Sequence, residues 1–453
     1  MAVLNRGPAP PRSGRTKLYL EVYPMPNTRT GATRKPAQAG AAAGGAAGTR
    51  AAGSVPVPRT AGKAVGAARA YAESVAGGAI ERDRAGAERP PLAELAALDA
   101  SGLLGITVPR ADGGPELGAA VLAEVIATIA ATDPSLAQAT QSHWLFCDVL
   151  AVWGSAEQQR LLFAEALDGG RLGNAQAERG GVHAQDLKTR LSRDGNGELR
   201  LAGTKFYTTG SLTARWLGVT ALDEAGQLAP AFVRRDAPGV TLDTDWNVMG
   251  QRATVSGSAV FADVPVDPAL VVPYARAFTV PQQLGARTQL VHAAIQVGIA
   301  GGALRDAGWF VREKARPFFE AARAGLASTA GRDPHTMHRY GELATKVSAA
   351  EALLARAAAV QESVGLVPAD AQAAARGTLA VAQAKAFASE VAAEVTTEIF
   401  SLSGASATDE RYDLSRHWRN ARTHASHDPV SWKYHHIGNY LLNDELPPNH
   451  GQL

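Results

Sequence analysis

The chain has 453 residues, a formal net charge of +2, 46% hydrophobic and 19% charged residues, and one cysteine. That length exceeds one core and predicts two or three packed units, while the absence of any run of about eighteen apolar residues speaks against a membrane span. The lone Cys147 excludes an intrachain disulfide framework and cysteine-based zinc or iron–sulfur sites, and it fits a reducing, cytoplasmic setting.

The charge is unevenly spread. Residues 1–60 carry nine Lys or Arg and one acid, Glu21, which is +8, so the remainder is −6. With its AGAAAGGAAGTRAAG tract this arm has nothing to pack and is expected to be a disordered tail. The acidic remainder argues against general nucleic-acid binding.

Residues 61–170 predict helices. AGKAVGAARAYAESVAGGAIERD and PLAELAALDASG repeat apolar residues every three or four positions, and Gly102 is placed to end the second. LLGITVPRADGG reads as an extended segment. LGAAVLAEVIATIAATDPS is an apolar helix closed by Asp133-Pro134, and Ser155 is the expected N-cap of AEQQRLLFAEAL. Residues 171–280 alternate at period two and are punctuated by Asp-Gly, Asn-Gly and Pro-Gly, a β domain with a hairpin at RDGNGE. Residues 281–453 return to long alanine-rich helices and predict an antiparallel bundle. That bundle ends in RNARTHASHDPVSWKYHHIG (residues 419–438), which holds four of the chain's eleven histidines.

The order of helices, β domain and helices, together with LLGITVPRADGG, GTKFYTTGSLTARWLGVTA and MGQRATVSGSAVFADVPVD, resembles the acyl-CoA dehydrogenase superfamily of flavoproteins. The resemblance implies an α+β fold: an N-terminal helical domain, a central β-barrel domain and a C-terminal four-helix bundle. In the dehydrogenases a late Arg-Asp-Ala-Arg phrase leads to Tyr-Glu-Gly-Thr, whose Glu removes the substrate α-proton. Here RNAR leads to THASHDP and Asp428 stands in the Glu position. Its carboxylate is shorter by about 1.5 Å, one C–C bond. Pro429 replaces the Gly. FSLSG (residues 400–404) stands where FAD-binding members have Gln-x-x-Gly-Gly, with Phe400 for the Gln and Ser403 for the first Gly, so FMN is preferred over FAD.

Both departures, with GNAQAERG and RHWRNARTHASHDPVSWKYHHIGNYLLN, resemble the flavin-dependent monooxygenases of that superfamily, of the dibenzothiophene monooxygenase and SfnB-type sulfur-acquisition kind. The resemblance implies reduced FMN supplied by a separate flavin reductase, and a flavin C4a-hydroperoxide formed with O2. One oxygen atom then passes to an organosulfur substrate. The alternatives are an FAD-dependent acyl-CoA dehydrogenase with Asp428 as base, and a non-catalytic flavin-binding protein.

The resemblance also assigns residues. His427 is the expected partner of the peroxide, since imidazole exchanges protons near neutral pH. His424 is expected to contact flavin or substrate, and His143 to face the pocket from the opposite side, with Trp144 and Phe146 as lining or core. Thr208 and Thr209 meet the flavin ring, Asn174 the flavin or peroxide, and Trp246 closes the pocket. Arg316 reaches a flavin phosphate across a subunit interface, which implies a homotetramer. A zinc site from His424, His427 and Asp428 is the less favoured reading, because neither an H-E-x-x-H motif nor a cysteine ligand accompanies it.

Overall fold

The computed structural model describes residues 55–183 and 186–449. Most of the predicted basic arm lies outside these residues. Its last six, 55–60, belong to the folded body, which corrects the boundary. Val57 packs against the helical core, Pro58 is buried and the Arg59 guanidinium donates to the Gly113 carbonyl.

The N-terminal helices are α1 (Ala61–Ala76), α2 (Ala79–Ala85), α3 (Leu92–Ala100), α4 (Ala119–Ala130), α5 (Pro134–Gln138), α6 (Gln141–Trp153) and α7 (Ala156–Leu167). Their ends follow the local chemistry. Asp133 accepts from Ser135 N and Leu136 N with Pro134 in the first turn of α5, and Ser155 and Gln158 form a reciprocal capping box on α7. Gly102, at φ 76°, turns the chain after α3 with its α-carbon against Pro56. The stretch read as extended, residues 103–114, instead holds two 3-10 turns, Leu103–Gly105 and Arg110–Asp112. Leu103, Leu104, Ile106 and Val108 are all buried, and the tight turns bring the adjacent Leu103 and Leu104 inward together, where a strand would send them to opposite faces.

The β domain contains β1 (Leu172–Ala175), β2 (Arg190–Arg193), β3 (Leu199–Lys205), β4 (Trp216–Leu222), β5 (Leu228–Arg234), β6 (Val240–Leu242) and β7 (Ala259–Pro265). The hairpin at RDGNGE forms as read, with Arg193 opposite Leu199. The expected barrel is an open, curled sheet in the order β1-β4-β2-β3-β7-β6. β4 carries β5 along one edge, and on the other β1 at its start and β2 at its end.

The bundle is built from α8 (Leu284–Glu313), α10 (Pro334–Val364) and α11 (Ala371–Ser403), with short α9 (Phe319–Arg323), α12 (Ser415–Ala425) and α13 (Val430–Asn443). Small residues permit the close approaches. Gly298 and Gly302 of α8 lie against Ala127, Ala130 and Ala131 of the α4 region, where a Cβ would meet backbone. α12 is the junction of all three parts. Arg419 pairs with Asp83 of α2 at 2.7 Å, Arg416 and His417 bond Asp306 of α8, and Asn420 accepts from Gln251 N of the β domain. Gly250 lets the 249–251 loop lie directly on the Arg419 carbonyl. Gly250→Ala is expected to lift that loop and cost about 1–3 kcal/mol. A lower urea midpoint with an unchanged m-value would check this.

Candidate active site

Two groups of residues lie near the junction of the sheet with α12. On the sheet side, Tyr207 follows β3 with φ 59° and is about half exposed, and Phe206, Tyr207 and Trp246 meet edge-on or tilted. Asn174 of β1 donates to the Tyr207 carbonyl at 2.7 Å and accepts from Gln176 at 2.9 Å. Thr208 donates its hydroxyl to the Gly257 carbonyl at 2.9 Å. Thr209 Oγ1 lies 2.6 Å from Ser256 Oγ, which donates to Thr254 Oγ1, which donates to the Gln251 carbonyl. Trp246 Nε1 donates to that same carbonyl at 2.9 Å. This shelf of aromatic faces, an amide and hydroxyl oxygens suits a flat heteroaromatic ring with hydrogen-bonding edges, and Arg179, 3.0 Å over the Phe206 ring, adds a cation beside it.

On the bundle side, His424 closes the last turn of α12 and His427 lies just beyond it. His424 Nε2 is 3.1 Å from Nδ1 of His292 on α8 and 3.2 Å from Gln138 Oε1. The His427 ring lies over His292 with centroids 4.3 Å apart and planes tilted by 32°. Burial, with His427 and Lys385 nearby, drives the proton affinities of His292 and His424 well below the usual imidazole range, so both are neutral near pH 7. His427, about half exposed, is the most accessible of these three imidazoles.

Asp428 is nearly buried. Lys433 Nζ lies 2.8 Å and Lys385 Nζ 3.2 Å from its oxygens, and His427 Nδ1 is 3.5 Å away. Burial opposes its charge, yet these partners outweigh that and hold it ionised far below the usual carboxylate range. A carboxylate so held is a poor proton acceptor. This arrangement argues against the reading of Asp428 as a dehydrogenase base. The same two ammonium groups repel a metal cation, and among the described residues no cluster of three His, Cys, Asp or Glu has metal-binding geometry.

The two sides share supports. Gln138, at the end of α5, holds His424, while the next residue, Ala139, backs Gly210 beside Thr208 and Thr209. The 249–251 loop links Trp246 to Asn420 of α12. These supports connect the shelf that holds Asn174, Thr208, Thr209 and Trp246 with the turn that holds His424 and His427. His143 belongs to neither group. It is fully buried, with Nε2 donating to the Leu104 carbonyl at 2.8 Å and Nδ1 accepting from Leu172 N at 3.2 Å. With both nitrogens occupied by backbone it anchors β1 behind Asn174 and cannot face a pocket. Trp144 and Phe146 are core as well, Phe146 against Gly218 and Phe232. Arg316 is exposed beyond the end of α8, about 30 Å along that helix from His292 at 1.5 Å per residue. It cannot serve the site of its own chain.

Sequence reasoning missed His292, Lys385, Lys433 and Gln138. A signal existed for the first: Gln289, His292 and Gln296 form a polar stripe at helical spacing on an otherwise apolar helix, and all three are buried.

The acyl-CoA dehydrogenase N-terminal domain family matches residues 64–170, and the acyl-CoA dehydrogenase C-terminal domain family matches residues 290–432. Dibenzothiophene monooxygenase of Rhodococcus erythropolis is 35% identical over 403 residues, covering 84% of this chain and 94% of that protein. The chain belongs to the acyl-CoA dehydrogenase superfamily, in its flavin-dependent monooxygenase branch. It is a flavin-dependent oxidoreductase. A second relative in this branch, the probable FMNH2-dependent monooxygenase SfnC of Pseudomonas putida, is 32% identical and covers 85% of this chain and 96% of its own length. The sulfur-acquisition relative found is thus SfnC, where the motif reading named the SfnB type. Among solved structures, FMN-bound TdsC from Paenibacillus sp. A11-2 superposes with a TM-score of 0.81 at 30% identity, covering 86% of this chain and all of that one. No described helix is long and apolar enough to cross a membrane.

The buried histidines of this flavoenzyme contribute to its acid sensitivity. Burial lowers His143 and His417 to about 4, against an ordinary 6.5. Between these values the unfolded chain binds protons that the folded chain refuses, so stability falls as pH drops from 6.5 toward 4. Each group accounts for at most about 3 kcal/mol. His143→Gln is expected to flatten that slope, as measured by urea midpoints at stepped pH.

Proposed function

We propose that this protein is the oxygenase of a two-component system, using reduced FMN from a separate reductase and O2 to oxygenate a small organosulfur compound. The observation that carries the reading is the state of Asp428. The position a dehydrogenase would use to remove a proton is locked as an ion by two lysines, and the neighbouring half-exposed His427 is left as the acid–base group. Relatives named as dibenzothiophene monooxygenase and FMNH2-dependent SfnC support the substrate class and the cofactor.

When bound, reduced FMN supplies the electrons that activate oxygen. The chain's own residues do the rest. Tyr207 and Trp246 would flank the ring, Asn174 and the threonines would meet its polar edge, and Arg179 stands near for charge. Both threonine hydroxyls already donate, Thr208 to Gly257 and Thr209 toward Ser256, so toward a further group they would accept, as from the N5–H of a reduced flavin. His427, with Nδ1 turned to Asp428, keeps Nε2 as the nitrogen that takes and returns a proton. Arg316, with exposed Phe318 and Phe319 beside it, would complete the site of a neighbouring subunit in a homo-oligomer.

Rapid mixing of the FMNH2-loaded protein with oxygen tests this reading. Flavin oxidation is expected in two resolved phases, with the first species decaying at least tenfold faster in His427→Ala, a loss typical for one acid–base group. Single-phase oxidation in the wild type, with bound FAD reduced by an acyl-CoA, would return the dehydrogenase reading. Neither behaviour would leave a flavin-binding protein.

A further inference from the structure

Lys385 lies in the middle of α11 in the run VAQAKAFASE, a single ammonium among alanines, and its residue is fully buried. A buried lysine loses solvation and is tolerated only with an anionic partner. That partner is Asp428, 43 positions later on the turn between α12 and α13. Asp428 already has a second ammonium, Lys433, from the first turns of α13. Two lysines therefore share one carboxylate, and His427 Nδ1 reaches the oxygen that Lys385 holds.

The groups facing His427 come from every surrounding element. α8 gives His292, α12 gives His424, α11 gives Lys385, and the turn into α13 gives Asp428 and Lys433, while α5 contributes only the uncharged Gln138. His292 and His424 are neutral. A proton arriving on His427 thus meets a buried set with two positive charges and one negative.

We propose that Lys385 is a positioning residue for His427. By drawing Asp428 toward α11 it orients the imidazole with Nδ1 inward and Nε2 outward, and it limits how strongly the carboxylate can hold the imidazolium. Without Lys385, Asp428 would turn freely toward His427 and one nearby cation would be gone. Both changes favour the protonated ring. Without the carboxylate the ring would face lysines alone, and the neutral form would be favoured. The two substitutions therefore act in opposite directions, which loss of packing alone would not produce. This inference rests on the reading of His427 as the acid–base group.

The test uses the full-length protein without flavin. Diethyl pyrocarbonate reacts with neutral imidazole, and peptide mass spectrometry reports the rate at His427 as a function of pH, with exposed His335 as an internal control. Lys385→Met leaves Asp428 paired with Lys433, and circular dichroism checks that the fold is retained. Its His427 midpoint is expected to rise by about half a unit, roughly a threefold gain in proton affinity. Asp428→Asn is expected to lower it by a similar amount. Should that variant fail to fold, Lys385→Met/Asp428→Asn removes one charge of each sign, and a midpoint below that of Lys385→Met serves in its place. Midpoints that stay within error of wild type in the folded variants, or that move in the same direction, would overturn the proposal. Opposite shifts with flavin oxidation kinetics unchanged would keep the positioning role and instead remove the acid–base reading of His427.

Discussion

Burying an arginine-rich helix inside an alanine-rich bundle is the constraint on which this structure turns. α12 places Arg416, His417, Asn420 and His424 in the interior, and each must find a partner or destabilise the fold. The partners come from everywhere else: Asp306 from α8, Asp83 from α2, the 249–251 loop from the sheet, and Gln138 from α5. Satisfying these groups is what brings helical domain, sheet and bundle to one point. The site then occupies the end of the same helix, so its geometry inherits the rigidity of that junction.

The chemistry of the branch follows from how charge is arranged just beyond α12. A single carboxylate in an apolar cleft would have a raised proton affinity and could act as a base. Here the carboxylate is surrounded by cations and becomes a fixed anion, while the adjacent imidazole is half exposed and backed by two neutral rings. Under the proposed function the acid–base group is the histidine one residue before the carboxylate position. On the sheet, the hydroxyl protons of Thr208 and Thr209 are likewise committed to neighbouring oxygens.

Much of this was legible in the chain. Caps at Asp133 and Ser155, the hairpin at RDGNGE and the long apolar repeats of α8 and α11 are local signals, because their partners lie within a few residues. The pairing of His424 and His427 with the end of a helix was legible for the same reason. His143 was misread because a lone histidine on an apolar helix looks alike whether its nitrogens meet backbone or a pocket. Only Leu104 and Leu172, about 30–40 residues away in opposite directions, decide that. The 3-10 turns at residues 103–114 were missed because the joint burial of Leu103, Leu104, Ile106 and Val108 is a property of the packed domain.

The sequence by itself determined the order of the three parts, the element ends, the family signature and the departures at Asp428 and Phe400, since these depend on residue identity and short-range spacing. The tertiary structure decided which groups meet. His292, Lys385 and Gln138 join His424, His427 and Asp428 across separations of about 40 to nearly 290 residues. No periodicity records such contacts, and proton affinities follow from burial and neighbouring charge, which exist only once the helices have packed.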